Sequence, residues 1–269
     1  MTNDEGRWSV EIFDQAQIQV RQEGPILTVT LDRPAARNAQ TPATWRALAH
    51  VGDLLKTDAD GIALVVIRGN GQSFSAGLDR RMFTPEGVPG EVSLAGLIEL
   101  PDGELDGAIA EFQRGFTWQR EVRPLTVAAV QGHAIGAGFQ LALACDIIIA
   151  TSDASFAMRE TSLGLVPDLG GTHPLVRTVG LARAVDMCAT GRAVSAQEAV
   201  ECGLVARVVN DLGGALEEYA AAVTSAPPGA VGDLLPLLTS ALLQDPVSQR
   251  ASERRAQIAR LRALTSRQA

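Results

Sequence analysis

The sequence is short of the residues that form cross-links and metal sites. Its 269 residues hold three cysteines (Cys145, Cys188, Cys202), three histidines (His50, His133, His173) and one tyrosine. Three cysteines cannot all pair within one chain, and each lies in an apolar or helical context. They read as reduced thiols of a cytoplasmic protein. The histidines are far apart and have no metal-ligand spacing, so no metal is expected. No run approaches the roughly 18 apolar residues of a membrane span. The first residues, MTNDEGRWSVEIFDQ, carry early acids and no apolar centre of secretory type. Lysine is nearly missing: of 23 basic residues only Lys56 is lysine, the rest being arginine. Against 31 acids this leaves a net charge of −8, which argues against nucleic acid as the main partner; no membrane partner is expected. A local basic site on an acidic protein still admits a phosphate-bearing small molecule.

What is present is apolar: 46% of residues are hydrophobic and 20% charged, enough for one large core. The order of elements reads as mixed α/β. Gln17–Val20 and Ile26–Leu31 read as strands joined by a turn at Glu23-Gly24-Pro25. Thr41–Thr57 has helical spacing, opened by Thr41-Pro42. Ile62–Ile67, Leu125–Val130 and Ile147–Ala150 are short, solid apolar runs of buried-strand type. Thr84 to Glu111 holds seven acids and no base. It reads as an exposed loop, or a substrate lid, leading into a helix from about Leu105 to Glu121. A helix over Gly180–Thr190, a short helix from Ser195 to Gly203, a strand at Leu204–Val209 and three final helices follow.

Most motif fragments fail on inspection. Gly136-Ala137-Gly138 lacks the third glycine of a dinucleotide fingerprint, because Leu141 stands there. Ser75-Ala76-Gly77 lacks the first glycine of a nucleophile elbow, because Ser73 stands there. Two glycine-containing turns survive, Phe74-Ser-Ala-Gly-Leu-Asp79 and Gly132 to Gln140, each after a buried strand. Small residues there let the backbone approach a ligand and leave N–H groups free. Two such turns can aim two N–H groups at one oxygen, as an oxyanion hole requires. From physics alone, tight turns of an ordinary α/β protein remain the favoured explanation.

The chain resembles the enoyl-CoA hydratase/isomerase family, the crotonases. The resemblance runs from about Ile26 to Val209. It rests on Leu31-Asp-Arg-Pro34 with Asn38-Ala39, Phe74-Ser-Ala-Gly-Leu-Asp79, Ala129-Val-Gln-Gly132 and Gly136-Ala-Gly138. Leu141-Ala-Leu-Ala-Cys-Asp146, Phe156, Glu160, Leu163-Gly-Leu-Val-Pro167, Gly170-Gly-Thr172 and Gly203-Leu-Val205 complete it. It implies a crotonase-like spiral of repeated ββα units over residues 1–209 and a C-terminal helical trimerisation region over 210–269. A homotrimer or dimer of trimers is then expected. It also implies an acyl-CoA thioester substrate, with coenzyme A arriving as part of that substrate and no tightly bound cofactor. Oxyanion-hole N–H groups would belong to Ala76 and Ala137. The CoA and acyl contacts would fall to Ala36, Gly77, Leu78, Asp79, Arg81 and Gly136, although Arg81 reads equally as a solvent arginine.

The chemistry turns on three side chains. Family hydratases set two glutamates on one water, and the resemblance gives the second place to Glu160. The first place is Gln140, which can hold a water but cannot exchange a proton at neutral pH. Double-bond isomerisation by Glu160 is therefore expected ahead of hydration of the fatty-acid β-oxidation type. Asp168 lies at the separation from Glu160 of an acid pair in the family's dienoyl-CoA isomerases. It reads equally as an N-cap for the helical pattern after Gly170. A third reading is a catalytically silent acyl-CoA-binding protein. The segment after Asp245 lacks the phenylalanine and lysines common at the family's C-terminus.

Overall fold

The computed structural model describes Trp8 and residues 11–265. Its strands are β1 (Ile18–Glu23), β2 (Ile26–Leu31), β3 (Leu64–Gly69), β4 (Leu125–Val130), β5 (His133–Ile135), β6 (Ile147–Thr151), β7 (Ser155–Ala157), β8 (Val194–Ser195) and β9 (Arg207–Val209). Six form a wide sheet in the order β1-β2-β3-β4-β6-β9. The β1–β2 hairpin is antiparallel, with Glu23 paired to Ile26 across a turn whose Gly24 has φ +57°. Every later pairing in this sheet is parallel. Parallel strands need both faces covered, which explains the unbroken Val/Ile/Leu runs.

A second ribbon stands beside the wide sheet. It is built from β5, β7 and β8, and two single bridges extend it: Ser75 to Ala134, and Gln40 to Leu78. Each turn of the chain thus runs along a long strand, through a short extended segment and into a helix. This is the expected spiral of ββα units. The short segments have three residues or fewer, too few to show a two-residue period, and they were not legible in the sequence.

Strand alternation separates two hydrophobic cores. Val65 and Ile67 of β3 and Ala128 and Val130 of β4 face inward, with Leu48, Val51, Phe74, Phe139 and Phe156. Leu64, Val66, Leu125, Val127 and Ala129 face the other way, against Leu216, Tyr219, Ala220 and Val231. The helices Leu212–Thr224 and Ala230–Ser240 therefore share a core with the sheet. The last helix, Pro246–Thr265, packs on Ala230–Ser240.

The acidic stretch is more ordered than expected. Ser93 accepts from the Gly96 N–H and opens a short helix, Leu94–Ile98. The next helix runs Asp102–Thr117, starting three residues earlier than expected. Asp102 and Glu104 sit in its first turn, where negative charge meets the free N–H groups. Among the described residues no helix is long and apolar enough to cross a membrane.

Candidate active site

The site lies where the Ser75–Asp79 turn meets the start of the helix Ala137–Ala144. Three buried polar side chains fix the first turn. Asn38 accepts from the Arg33 N–H (2.9 Å) and donates to the carbonyls of Asn70 (2.9 Å) and Ser73 (2.7 Å). Gln40 accepts from the Trp45 indole (2.8 Å) and donates to Ser75 Oγ (3.0 Å). Ser75 Oγ donates to the Asn38 carbonyl (2.8 Å) and accepts from the Gly77 N–H (3.2 Å). The 33–40 loop, with Ala36 in its Pro34–Ala36 turn, is thereby stitched to the 70–79 turn.

This stitching decides which N–H groups are free. The Ala76 N–H donates to the Arg37 carbonyl at 2.8 Å, so the donor expected for an oxyanion hole is already engaged. Arg37 and Asn38 have φ of +50° and +53°, which turns that carbonyl toward Ala76. On either side of Leu78, Gln40 donates to the Gly77 carbonyl (2.7 Å) and accepts from the Asp79 N–H (2.8 Å). The Leu78 N–H itself has no acceptor among the described residues. Nor has the Ala137 N–H, at the first position of its helix. The two turns touch: a Cβ placed on Gly77 would lie 2.5 Å from the Ile135 carbonyl and 3.5 Å from Ala137 N. Gly77 has φ +84°, so glycine is required there twice over. The free pair is thus Leu78 with Ala137, a shift of two residues from the expected Ala76.

Asp79 serves the frame. Its buried carboxylate pairs with Arg33 (2.6 Å) and Arg81 (2.9 Å) and accepts from the Arg81 N–H (2.9 Å). Burial alone would raise this carboxyl. The bonds from Arg81 and Arg33 outweigh it and hold the group well below the usual carboxylate range. Arg81 is consequently held in place, half exposed, at the edge of the site.

Glu160 opens the short turn Glu160–Leu163 and is buried, 9% exposed. Its Oε1 accepts from Gln140 Nε2 at 2.7 Å. A Cβ on Gly136 would lie 3.3 Å from that oxygen, so Gly136 gives the carboxyl room beside Ala137. The other oxygen, Oε2, is buried and has no hydrogen-bond partner among the described residues. Burial pushes the Glu160 carboxyl up. The Gln140 amide and the N–H groups of Glu160 and Arg159 oppose that rise, and the negative charge of Asp168 adds to it.

Asp168 does not cap a helix. The helix over Thr172–Val179 takes Gly171 as its N-cap. Asp168 keeps solvent access, and desolvation by the surrounding protein pushes its carboxyl up. Its repulsion is felt by Glu160, so the two acids share one field. The structure therefore brings Glu160, Gln140, Asp168, Gly136, Gly77, Leu78 and Ala137 together, with Asp79, Arg81 and Ala36 in the adjoining frame. Among the described residues no group of three or more His, Cys, Asp or Glu is placed to hold a metal ion. Asn38, Gln40, Ser75 and Gln113 were not picked out individually as site residues. Asn38 and Ser75 lie within the matched motifs, whereas Gln40 and Gln113 carry no motif signal.

Comparison with known proteins adds what geometry cannot. Residues 21–261 match the family model described as enoyl-CoA hydratase/isomerase. The 2,3-dehydroadipyl-CoA hydratase of Escherichia coli is 35% identical over 193 residues, covering 72% of this chain and 69% of that protein. The carnitinyl-CoA dehydratase of Salmonella paratyphi A is 36% identical over 221 residues, covering 81% and 78%. A crystal structure from Thermobifida fusca YX, described as a candidate enoyl-CoA hydratase in complex with CoA, superposes with a TM-score of 0.88. It is 41% identical and covers 96% of this chain and 98% of that one.

Proposed function

The chain belongs to the enoyl-CoA hydratase/isomerase family, and from that premise we propose that it shifts the double bond of an enoyl-CoA thioester through an enolate. Coenzyme A arrives as part of the substrate. The thioester oxygen is bound by the N–H groups of Leu78 and Ala137. Glu160 removes a proton from C2 of a 3-enoyl thioester, and the electron pair moves to that oxygen. The same carboxyl returns the proton at C4, leaving a 2-enoyl thioester. Each fixed donor stabilises the enolate by about 2.7–4 kcal/mol. The CoA complex of a relative 41% identical supports this substrate class.

One observation carries isomerisation ahead of hydration. Where a hydratase of the expected kind would have a second carboxyl, Gln140 stands, and it spends its carbonyl oxygen and one amide proton on the protein. It offers no acid for a water's second proton. The hydration reading draws its support from the hydratase and dehydratase relatives, with Asp168 as its second acid. Separate incubation with 2-enoyl-CoA and 3-enoyl-CoA, with products resolved chromatographically, tests the choice. Conversion of 3-enoyl to 2-enoyl thioester is expected. Hydration of 2-enoyl-CoA at about 10² per second or more, without isomerisation, overturns it.

A further inference from the structure

Gln140 is 1% exposed, and its hydrogen bonds run between two parts of the site. Nε2 donates to Glu160 Oε1 at 2.7 Å. Oε1 accepts from the N–H of Leu169 at 2.9 Å and of Gly171 at 3.2 Å. A carboxylate cannot donate and a backbone N–H cannot accept, so only one orientation of the amide satisfies all three bonds. The 168–171 turn rests directly on this side chain: a Cβ on Gly171 would lie 2.7 Å from Gln140 Cγ. From the opposite side Gln113 donates to the Asp168 carbonyl at 2.7 Å. Gln140 is the one side chain hydrogen-bonded to the Glu160 carboxyl among the described residues.

We infer that Gln140 is a positioning residue: its amide locks Glu160 through Oε1, leaves Oε2 as the single atom that moves the proton, and couples that setting to the Leu169–Gly171 turn. The inference rests on the proton-transfer reading of Glu160 and extends it. A carboxyl with two free oxygens turns about its terminal torsion, which is broad. One strong bond to Oε1 removes that freedom and fixes Oε2, which would lie 4.0 Å from a Cβ placed on Gly136. The donated bond also favours the ionised, proton-accepting form, against burial and the charge of Asp168. The other titratable group facing Glu160 is Cys188 from the helix Leu181–Thr190, whose thiol is itself pushed up by burial and by Glu160.

The test compares wild type, Gln140→Ala and Gln140→Glu. The readouts are kcat and KM for enoyl-CoA isomerisation, their pH profiles, and the Glu160 carboxyl titration by 13C NMR without substrate. Gln140→Ala should lower kcat about 10–100-fold through loss of alignment and change KM little. Its acid limb and the Glu160 titration should move up by about one pH unit, the equivalent of one lost charge-assisted bond. In Gln140→Glu a protonated carboxylic acid restores both the donor and the acceptor. Activity should return inside a bell-shaped profile whose alkaline limb is absent in wild type. An unchanged kcat and Glu160 titration in a folded Gln140→Ala overturn the inference. Should that variant not fold, a Gln140→Glu profile without an alkaline limb does so. Wild type that transfers no proton refutes the functional reading instead, and the substrate-free titration still decides the role of Gln140.

Discussion

Glu160 and Asp79 are both buried acids, and their surroundings drive them in opposite directions. For Glu160 the folded state holds its proton more tightly than the unfolded chain, whose carboxyl ionises near pH 4.3. Stability from this group is thus present at low pH and falls as pH rises above that value. Glu160→Gln should raise the melting temperature at pH 7–8, with the gain vanishing below about pH 4. The same change should cut turnover about 10²–10⁴-fold while acyl-CoA affinity holds; retained turnover would show another base. Asp79 has the reverse sign, because its folded carboxyl ionises below the unfolded value. Its stabilisation is present above about pH 3.9 and is lost as pH falls through the folded range. Asp79→Asn leaves Arg33 and Arg81 without their carboxylate and should cost about 3 kcal/mol at pH 7 by denaturant melts. The cost should shrink in strong acid; a pH-independent loss would mean that packing, not charge, holds this corner. That Glu160 and Ala137 belong to one candidate site was legible in the motif order. The exchange of Ala76 for Leu78 was not, because the bond from Ala76 to Arg37 depends on a left-handed pair some forty residues earlier. Asp168 misled as a cap because proline, aspartate and paired glycines commonly precede a helix, whereas the helix starts only at Thr172.

At the scale of one element, the helix Ala137–Ala144 links packing to chemistry. All eight of its residues are buried, and its first N–H, that of Ala137, has no acceptor among the described residues. Its C-terminal end is closed by Arg120, whose guanidinium donates to the carbonyls of Leu143 (2.9 Å) and Cys145 (3.0 Å). A cation there complements the helix dipole. Its start is pressed onto the other turn: a Cβ on Gly138 would lie 2.6 Å from the Ser75 carbonyl. Gly138→Ala must therefore push the helix away from Ser75 or distort the turn, costing about 1–3 kcal/mol. It should also displace the Ala137 N–H from the Leu78 N–H and lower turnover more than acyl-CoA binding. Thermal melts and steady-state kinetics on the variant check both. Wild-type values in each would mean that the two turns yield freely. Elements with long apolar runs, such as β3 and β4, were legible because burial on both faces leaves a compositional mark. The extended segments β5, β7 and β8 carry none, since three residues show no period and their partners are distant in sequence.

At the scale of the molecule, the C-terminal helices bury one side and leave apolar surface on the other. Leu235 packs on the sheet, while Leu234 is 47% exposed, Leu238 59%, Leu242 67%, Leu243 76% and Val247 67%. Leu181 and Val185, on the helix Leu181–Thr190, are also exposed. Exposed apolar side chains on a lone subunit cost solubility, and where they cluster they commonly mark an interface. The expected homotrimer or dimer of trimers supplies an occupant, further copies of the same chain. Wild type should sediment at about three, or six, times the 28.3 kDa of the chain. Leu242→Glu with Leu243→Glu places two charges in the patch and leaves the cores alone, since neither residue belongs to them. The double variant should sediment as a smaller species at micromolar concentration and keep the wild-type circular dichroism. Its turnover per subunit then separates two designs. Unchanged turnover means that each spiral carries a complete site. A fall with intact secondary structure means that assembly holds the turns at Leu78, Ala137 and Glu160 in place. A monomeric wild type would remove the assembly altogether, and the exposed leucines would then need a different partner.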